Sequence, residues 1–159
     1  MVSRFAFLLS LMAMPQGQSI PAELWGKWEV ASILATTTIA CWDDSRAKAL
    51  LGTEIEYSEN QFRWKDVVTP RPTAVKEIVT ARQFHDYNSG QGRDSSQVTF
   101  RQLGIDANEA AQISIEHRPA DITGSTIEIP GDKVLQKDKN TIVFSVCGVY
   151  FEARRAPAK

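Results

Sequence analysis

Apolar and polar residues alternate with a period of two along most of the chain after residue 20, which is typical of β-strands with one buried face. The alternation is clearest between residues 54 and 65, where four apolar positions share one face: Ile55, Tyr57, Phe62 and Trp64. Charged residues occupy the other face, and the polar sequence Ser-Glu-Asn at 58–60 interrupts the run. This stretch therefore predicts a β-hairpin with an aromatic inner face and a charged outer face.

The same alternation predicts further strands in six stretches: residues 25–34, 98–101, 113–116, 126–129, 133–136 and 141–155. The last stretch exceeds the length of a normal strand, and Gly148 is the predicted bulge or bend that divides it. Residues 69–72, Thr-Pro-Arg-Pro, predict a loop or a sheet edge, because proline cannot donate a ladder hydrogen bond. Pro130 and Gly131 suit the centre of a type II turn.

Two short helices are predicted between the strands. Residues 43–45, Asp-Asp-Ser, offer N-cap oxygens before a run of good helix formers, and Gly52 suits the position after the helix. Thr80 and Gln83 have the spacing of a capping box, so a second helix is expected near residues 81–87, with Phe84 turned inward. The Gly- and Ser-rich segment 88–96 is the longest predicted loop.

These elements predict an all-β fold with two short helices. About eight half-buried strands joined by short turns form an antiparallel meander, and closing it into an up-and-down barrel would remove exposed strand edges. The interior of an eight-stranded barrel has room for side chains or for one small ligand. A two-sheet β-sandwich fits the same alternation, so the sequence leaves barrel and sandwich open.

The N-terminus has the organisation of a signal peptide. Arg4 precedes an apolar run over residues 5–14, Pro15 ends the run, and Gly17 and Ser19 place small residues at the two positions that a signal peptidase inspects. The apolar run is too short to cross a bilayer as a helix. We therefore expect residues 1–19 to be removed, leaving residues 20–159 as a single domain in the periplasm or secreted from the cell.

The two cysteines, Cys41 and Cys147, are predicted to form one disulfide, because exported proteins meet an oxidising environment. Two buried free thiols are the alternative. Two distant cysteines supply at most half of a zinc shell, so no metal site is expected.

Charge and motifs exclude several functions. The chain has 18 Lys and Arg against 19 Asp and Glu, spread without a basic cluster, so no nucleic-acid surface is expected. Neither histidine lies in a recognisable catalytic motif, and no phosphate-binding or calcium-binding loop is present in the sequence. We therefore expect no enzymatic activity, no cofactor and no membrane span.

The two ends of the predicted barrel domain resemble the calycin arrangement of lipocalins and their relatives. Gly26-Lys27-Trp28 falls on the first strand, and Arg154-Arg155 ends the last one. The resemblance implies that Gly26 and Trp28 close the barrel floor and that one of these arginines lies across the indole of Trp28, where a cation–π contact is favourable. It leaves open which arginine does so. A ligand site inside the barrel is a further implication.

Six residues are candidates to line such a site: Trp28, Tyr57, Phe62, Trp64, Phe100 and His117. Their aromatic rings would suit a small apolar ligand, although the same rings could simply fill a small barrel. Two functions therefore stay open from sequence. In the first, the exported barrel binds a small apolar ligand. In the second, the barrel is filled and its loops bind another protein, as an inhibitor, an immunity protein or an envelope-assembly factor.

Overall fold

The computed structural model describes residues 18–37, 40–88, 98–117 and 128–157. A 3₁₀ helix, Ala22–Leu24, comes first. Nine strands and two α-helices follow in the described ranges: β1 (Gly26–Thr36), α1 (Asp44–Lys48), β2 (Glu54–Ser58), β3 (Gln61–Trp64), β4 (Val67–Pro70), β5 (Thr73–Thr80), α2 (Ala81–Asn88), β6 (Glu109–Glu116), β7 (Lys133–Asp138), β8 (Thr141–Val146) and β9 (Val149–Arg155).

All nine strands belong to one curled antiparallel sheet with the order β4-β3-β2-β1-β9-β8-β7-β6-β5. Strand β1 pairs with both β2 and β9, so the first and last strands of the chain are neighbours in the sheet. The predicted all-β, barrel-like fold with two short helices is confirmed. Because one sheet contains every strand of the described ranges, the sandwich alternative does not describe this architecture.

The two edge strands, β4 and β5, are separated only by Arg71 and Pro72. Neighbouring strands alternate in direction, so β4 and β5, the first and ninth in the order, run the same way. Residues 67–80 therefore act as one bent strand that pairs with β3 in its first part and with β6 in its second. Counted in this way, the sheet has eight strands, close to the predicted number of about eight. The predicted strand at 126–129 is not among them: residues 126 and 127 lie outside the described residues, and residues 128 and 129 are not in a strand. Arg71 has a φ of 45° at the bend, and Pro72 has no N–H to leave unpaired.

The predicted aromatic hairpin is confirmed as β2 and β3. Ile55 is paired with Trp64, and Tyr57 with Phe62. These side chains face a core inside the curled sheet, whose fully buried members include Trp28, Ile113, Val134, Ile142 and Phe151. Alternation along each strand puts half of the side chains on this inner side.

A second core covers the outer face of β6–β9. Leu135, Val143 and Tyr150 point outward there and pack against α2 and residues 98–105. The capping box at the start of α2 is confirmed, because the Thr80 backbone N–H donates to the Gln83 side chain while the Gln83 N–H donates to the Thr80 hydroxyl. Phe84 is buried against this outer core, as predicted.

Two predicted elements are corrected, and one strand was missed. Residues 98–101 are not a strand but turns, in which Thr99 and Gln102 exchange side-chain hydrogen bonds with each other's backbone. Gly148 divides the stretch 141–155 as predicted, but by a turn and not by a bulge or bend: with Cys147 it forms the tight turn of the β8–β9 hairpin, where both residues have positive φ. The strand β5 was not predicted, because the prolines before it and the capping box after it obscured its alternation.

Cys41 and Cys147 form the predicted disulfide, with their Cα atoms 5.1 Å apart. The backbone N–H of Cys41 also donates to the Cys147 carbonyl, so the bridge joins the segment after β1 to the β8–β9 turn. None of the helices in the described ranges is long and apolar enough to cross a membrane. The predicted signal peptide lies outside the described residues except for Gln18 and Ser19, and the predicted loop 88–96 lies outside them except for Asn88.

Candidate functional site

The six ligand-lining candidates do not surround one cavity. Trp28, Tyr57 and Phe62 are fully buried in the inner core. Phe100 lies on the opposite side of the sheet, where its ring packs 5.1 Å from that of Phe84. Trp64 is half-buried at the margin of the inner core. Alternation alone does not show that residues 98–101 lie outside the sheet. For that reason the sequence placed Phe100 inside the barrel, whereas it packs on the outer face of the sheet.

Polar groups of two inner candidates, Tyr57 and His117, bond to residues outside the candidate set. The Tyr57 hydroxyl donates to the Gly131 carbonyl at 2.6 Å. Burial raises the pKa of Tyr57 well above its usual value, and the charge of Asp132 adds to this. His117 is buried, lies edge-on to Phe62 and shares a 2.7 Å hydrogen bond between its Nδ1 and the Thr69 hydroxyl. Among the buried side-chain atoms of the described residues, Trp64 Nε1 and His117 Nε2 have no hydrogen-bond partner.

Thr69, His117 and Asp132 follow one another as hydroxyl, imidazole and carboxylate. His117 Nε2 lies 3.6 Å from a carboxylate oxygen of Asp132. The order resembles a nucleophile relay, but Thr69 is only 1% exposed. A substrate carbonyl cannot reach a hydroxyl buried in this way, so the row serves to hold β4 against the end of β6.

Arg155 and Arg154 have different roles. The Arg155 guanidinium carbon lies 4.2 Å from the centre of the Trp28 ring, and its Nη2 donates to the Glu23 carbonyl at 2.7 Å. Arg154 instead bonds the buried carboxylate of Glu152. Gly26 has a φ of 112°, and a Cβ there would lie 3.2 Å from Arg155 Nη1, so this position favours glycine.

A groove of about 320 Å³ opens on the outer face of the sheet, between α2 and strands β5–β9. Its floor consists of side chains from the strands, chiefly Leu135 and Val143. Phe84 and Tyr87 of α2 and Tyr150 of β9 contribute aromatic walls. The groove therefore combines apolar and aromatic side chains with polar ones, among them Gln83, Gln112 and Ser145.

Few charged groups reach the groove. Gln112 donates its side-chain amide to the Glu77 carboxylate at 2.5 Å, at the β5 side. The Lys133 ammonium lies 4.9 Å from the centre of the Tyr87 ring, at the β7 side. Burial raises the pKa of Tyr150, helped by the negative charge of Glu128, so the Tyr150 hydroxyl stays protonated at neutral pH. Among the residues that line the groove, Lys133 carries a positive charge and Glu77 a negative one, and the charge of Glu128 acts on Tyr150 from outside the lining.

Sequence reasoning missed this groove. Its floor depends on which face of β7 and β8 is covered, and both faces of these strands carry apolar residues. The available signal was the predicted inward turn of Phe84, since an inward-facing aromatic on a helix requires a sheet face to pack against.

In the described part of the chain, no group of three or more His, Cys, Asp or Glu residues could hold a metal ion. Comparisons of the chain with protein-family models, with curated proteins and with solved structures found no match. The fold itself defines the class: an antiparallel β protein whose curled, barrel-like sheet has a core on each side.

Proposed function

We propose that this protein binds a small amphipathic molecule and that the ligand occupies the outer groove beneath α2, not the interior of the curled sheet. The observation that carries the proposal is the volume of the groove, about 320 Å³, together with its lining. Pockets that bind small molecules begin at roughly 300 Å³ and combine apolar walls with a few polar groups.

The inner core supports this placement. Its largest side chains are fully buried and in contact with one another, so an internal ligand would have to displace them. Displacing well-packed aromatic rings costs several kcal/mol, because interiors are close-packed. The outer groove needs no such rearrangement.

We also propose export from the cytoplasm and a lipocalin-like ancestry. The disulfide between Cys41 and Cys147 favours an oxidising compartment, and residues 1–19 have the sequence pattern of a signal peptide. The contact between Arg155 and Trp28 is the one that the lipocalin resemblance implies. The mass of the exported protein tests the first point: residues 1–19 and two hydrogens should be missing from it.

Binding of another protein is the second candidate function. Two large apolar side chains beside the groove are exposed, Ile78 at 57% and Tyr87 at 80%. Exposed aromatic residues of this kind are enriched where proteins meet. In this case the filled inner core would be only a scaffold, and the partner would be an envelope or extracellular protein.

Native mass spectrometry distinguishes the two functions. We expect the exported protein to carry extra mass that is lost on denaturation, and we expect Ser145→Trp to abolish it, because Ser145 lines the groove and is exposed. Glu59→Trp, in the exposed β2–β3 turn, is the matched control and should retain the extra mass. Extra mass that persists in Ser145→Trp would place the ligand elsewhere. A bare mass for the wild-type protein would contradict small-molecule binding and favour a protein partner.

A further inference from the structure

We propose that the groove selects monocarboxylates with an apolar body and that Lys133 binds the carboxylate. This inference rests on the proposed function, since it names the class of ligand for the same groove. It follows from the distribution of charge around the groove and from the position of Tyr87.

Lys133 differs from three other lysines, which form ion pairs with carboxylates. Lys27, Lys76 and Lys137 form ion pairs with Glu54, Glu23 and Glu152, respectively. Across the described ranges, no carboxylate lies within ion-pair distance of the Lys133 ammonium, which instead lies over the Tyr87 ring. A ring face orients the ammonium without neutralising it. Within the described residues, Lys133 therefore presents a positive charge without an ion-pair partner at the margin of the groove.

The one carboxylate among the lining residues, Glu77, lies at the other side of the groove. Glu77 is on β5 and Lys133 is on β7, with β6 between them. Two strand spacings separate these positions by roughly 10 Å. Glu77 therefore disfavours an anionic group at the β5 side, while Lys133 favours one at the β7 side. A ligand with a single carboxylate is oriented by this difference.

The remaining surface defines the rest of the ligand. Leu135 and Val143 form an apolar floor, and Phe84 and Tyr150 are aromatic neighbours of that floor. Such a surface suits an alkyl chain or an aryl ring. The ligand class is therefore a monocarboxylic acid with an aliphatic or aromatic body small enough for about 320 Å³.

Two matched probes test this inference by isothermal titration calorimetry on the oxidised protein. The probes are 4-phenylbutyrate and its neutral amide, 4-phenylbutanamide, which share the same apolar body. Lys133→Met removes the charge and keeps an unbranched side chain. Lys48→Met, in the exposed last turn of α1, removes a positive charge far from the groove and is the control. Thermal unfolding of both variants verifies that they fold.

We expect 4-phenylbutyrate to bind the wild-type protein and Lys48→Met about tenfold more tightly than the amide, a difference of about 1.4 kcal/mol. Lys133→Met should remove this preference, and raised salt should weaken butyrate binding only when Lys133 is present. Equal binding of both probes, unchanged by Lys133→Met, would overturn the carboxylate inference while leaving the groove as a binding site. If Ser145→Trp leaves the binding of both probes intact, or if neither probe binds, the groove itself is not the site and the proposed function fails with the inference.

Discussion

The guanidinium of Arg155 lies against the indole of Trp28, 4.2 Å from the ring centre, and so joins the last strand to the first. The same guanidinium donates to the carbonyls of Glu23 and Trp25 in the segment that precedes β1. The indole Nε1 of Trp28 in turn donates to the Leu24 carbonyl at 2.7 Å. These contacts fix the segment 22–25 across one end of the curled sheet.

Arg155→Ala should lower the free energy of unfolding by about 2 kcal/mol or more. The substitution removes a cation–π contact worth about 1 kcal/mol and leaves backbone carbonyls without their charged donor. Urea unfolding, followed by tryptophan fluorescence, measures the change. Arg155→Lys retains the charge but not the planar guanidinium group. Its free energy of unfolding should therefore lie between those of the wild-type protein and Arg155→Ala.

Arg154→Ala is the matched comparison for that prediction. Arg154 is exposed and shares Glu152 with Lys137, so its removal should cost less than 1 kcal/mol. If Arg154→Ala and Arg155→Ala lower the free energy of unfolding equally, the stacking of Arg155 on Trp28 adds no stability beyond that of an exposed ion pair.

Tyr57→Phe should destabilise the fold by about 1 kcal/mol. The ring remains in the core, but the buried carbonyl of Gly131 loses the hydroxyl that donates to it at 2.6 Å. Thermal or urea unfolding measures the loss. A variant as stable as the wild-type protein would mean that another donor, such as water, reaches this carbonyl.

Glu152→Gln should destabilise the protein by about 1 kcal/mol at pH 7 and by less at pH 3. Burial alone would raise the pKa of Glu152, but hydrogen bonds from Lys137 and Arg154 outweigh it and hold the pKa below its usual value. A carboxyl with a lowered folded-state pKa stabilises the fold fully above its unfolded pKa of about 4.3, and this stability is lost as the pH falls through the folded value.

Urea unfolding at both pH values tests the Glu152 prediction. Glu59→Gln, at an exposed turn position, is the control and should show no comparable effect. If the difference in free energy of unfolding between the wild-type protein and Glu152→Gln is larger at pH 3 than at pH 7, the ion-pair explanation is contradicted.

Replacing Cys41 and Cys147 together by Ala should lower the unfolding free energy by about 2–4 kcal/mol. The disulfide closes a loop with a sequence separation of 106, for which chain entropy alone gives about 4–5 kcal/mol. Thiol labelling of the unfolded, unreduced wild-type protein should find no free cysteine. Two labelled thiols would show that the bridge does not form in solution.

Local signals predicted local structure well. The β2–β3 hairpin follows from alternation around a polar turn, and the start of α2 follows from the reciprocal capping of Thr80 and Gln83. Residues 98–101 alternate as a strand would, yet they form turns. There the Thr99 and Gln102 side chains cap the backbone, and Phe100 packs against Phe84 instead of entering the sheet. Short alternating runs cannot decide between these outcomes.

The residue pattern was enough to predict the β-rich fold class, the aromatic hairpin, the two short helices and the pairing of its two cysteines, because each depends on neighbouring residues or on simple chemistry. Three features came from the folded arrangement instead: residues 67–80 form one bent strand, Arg155 and not Arg154 stacks on Trp28, and the groove lies on the outer face beneath α2. These features depend on the pairing and burial of residues far apart in the chain. Alternation places a side chain on one of two faces but does not say what covers each face.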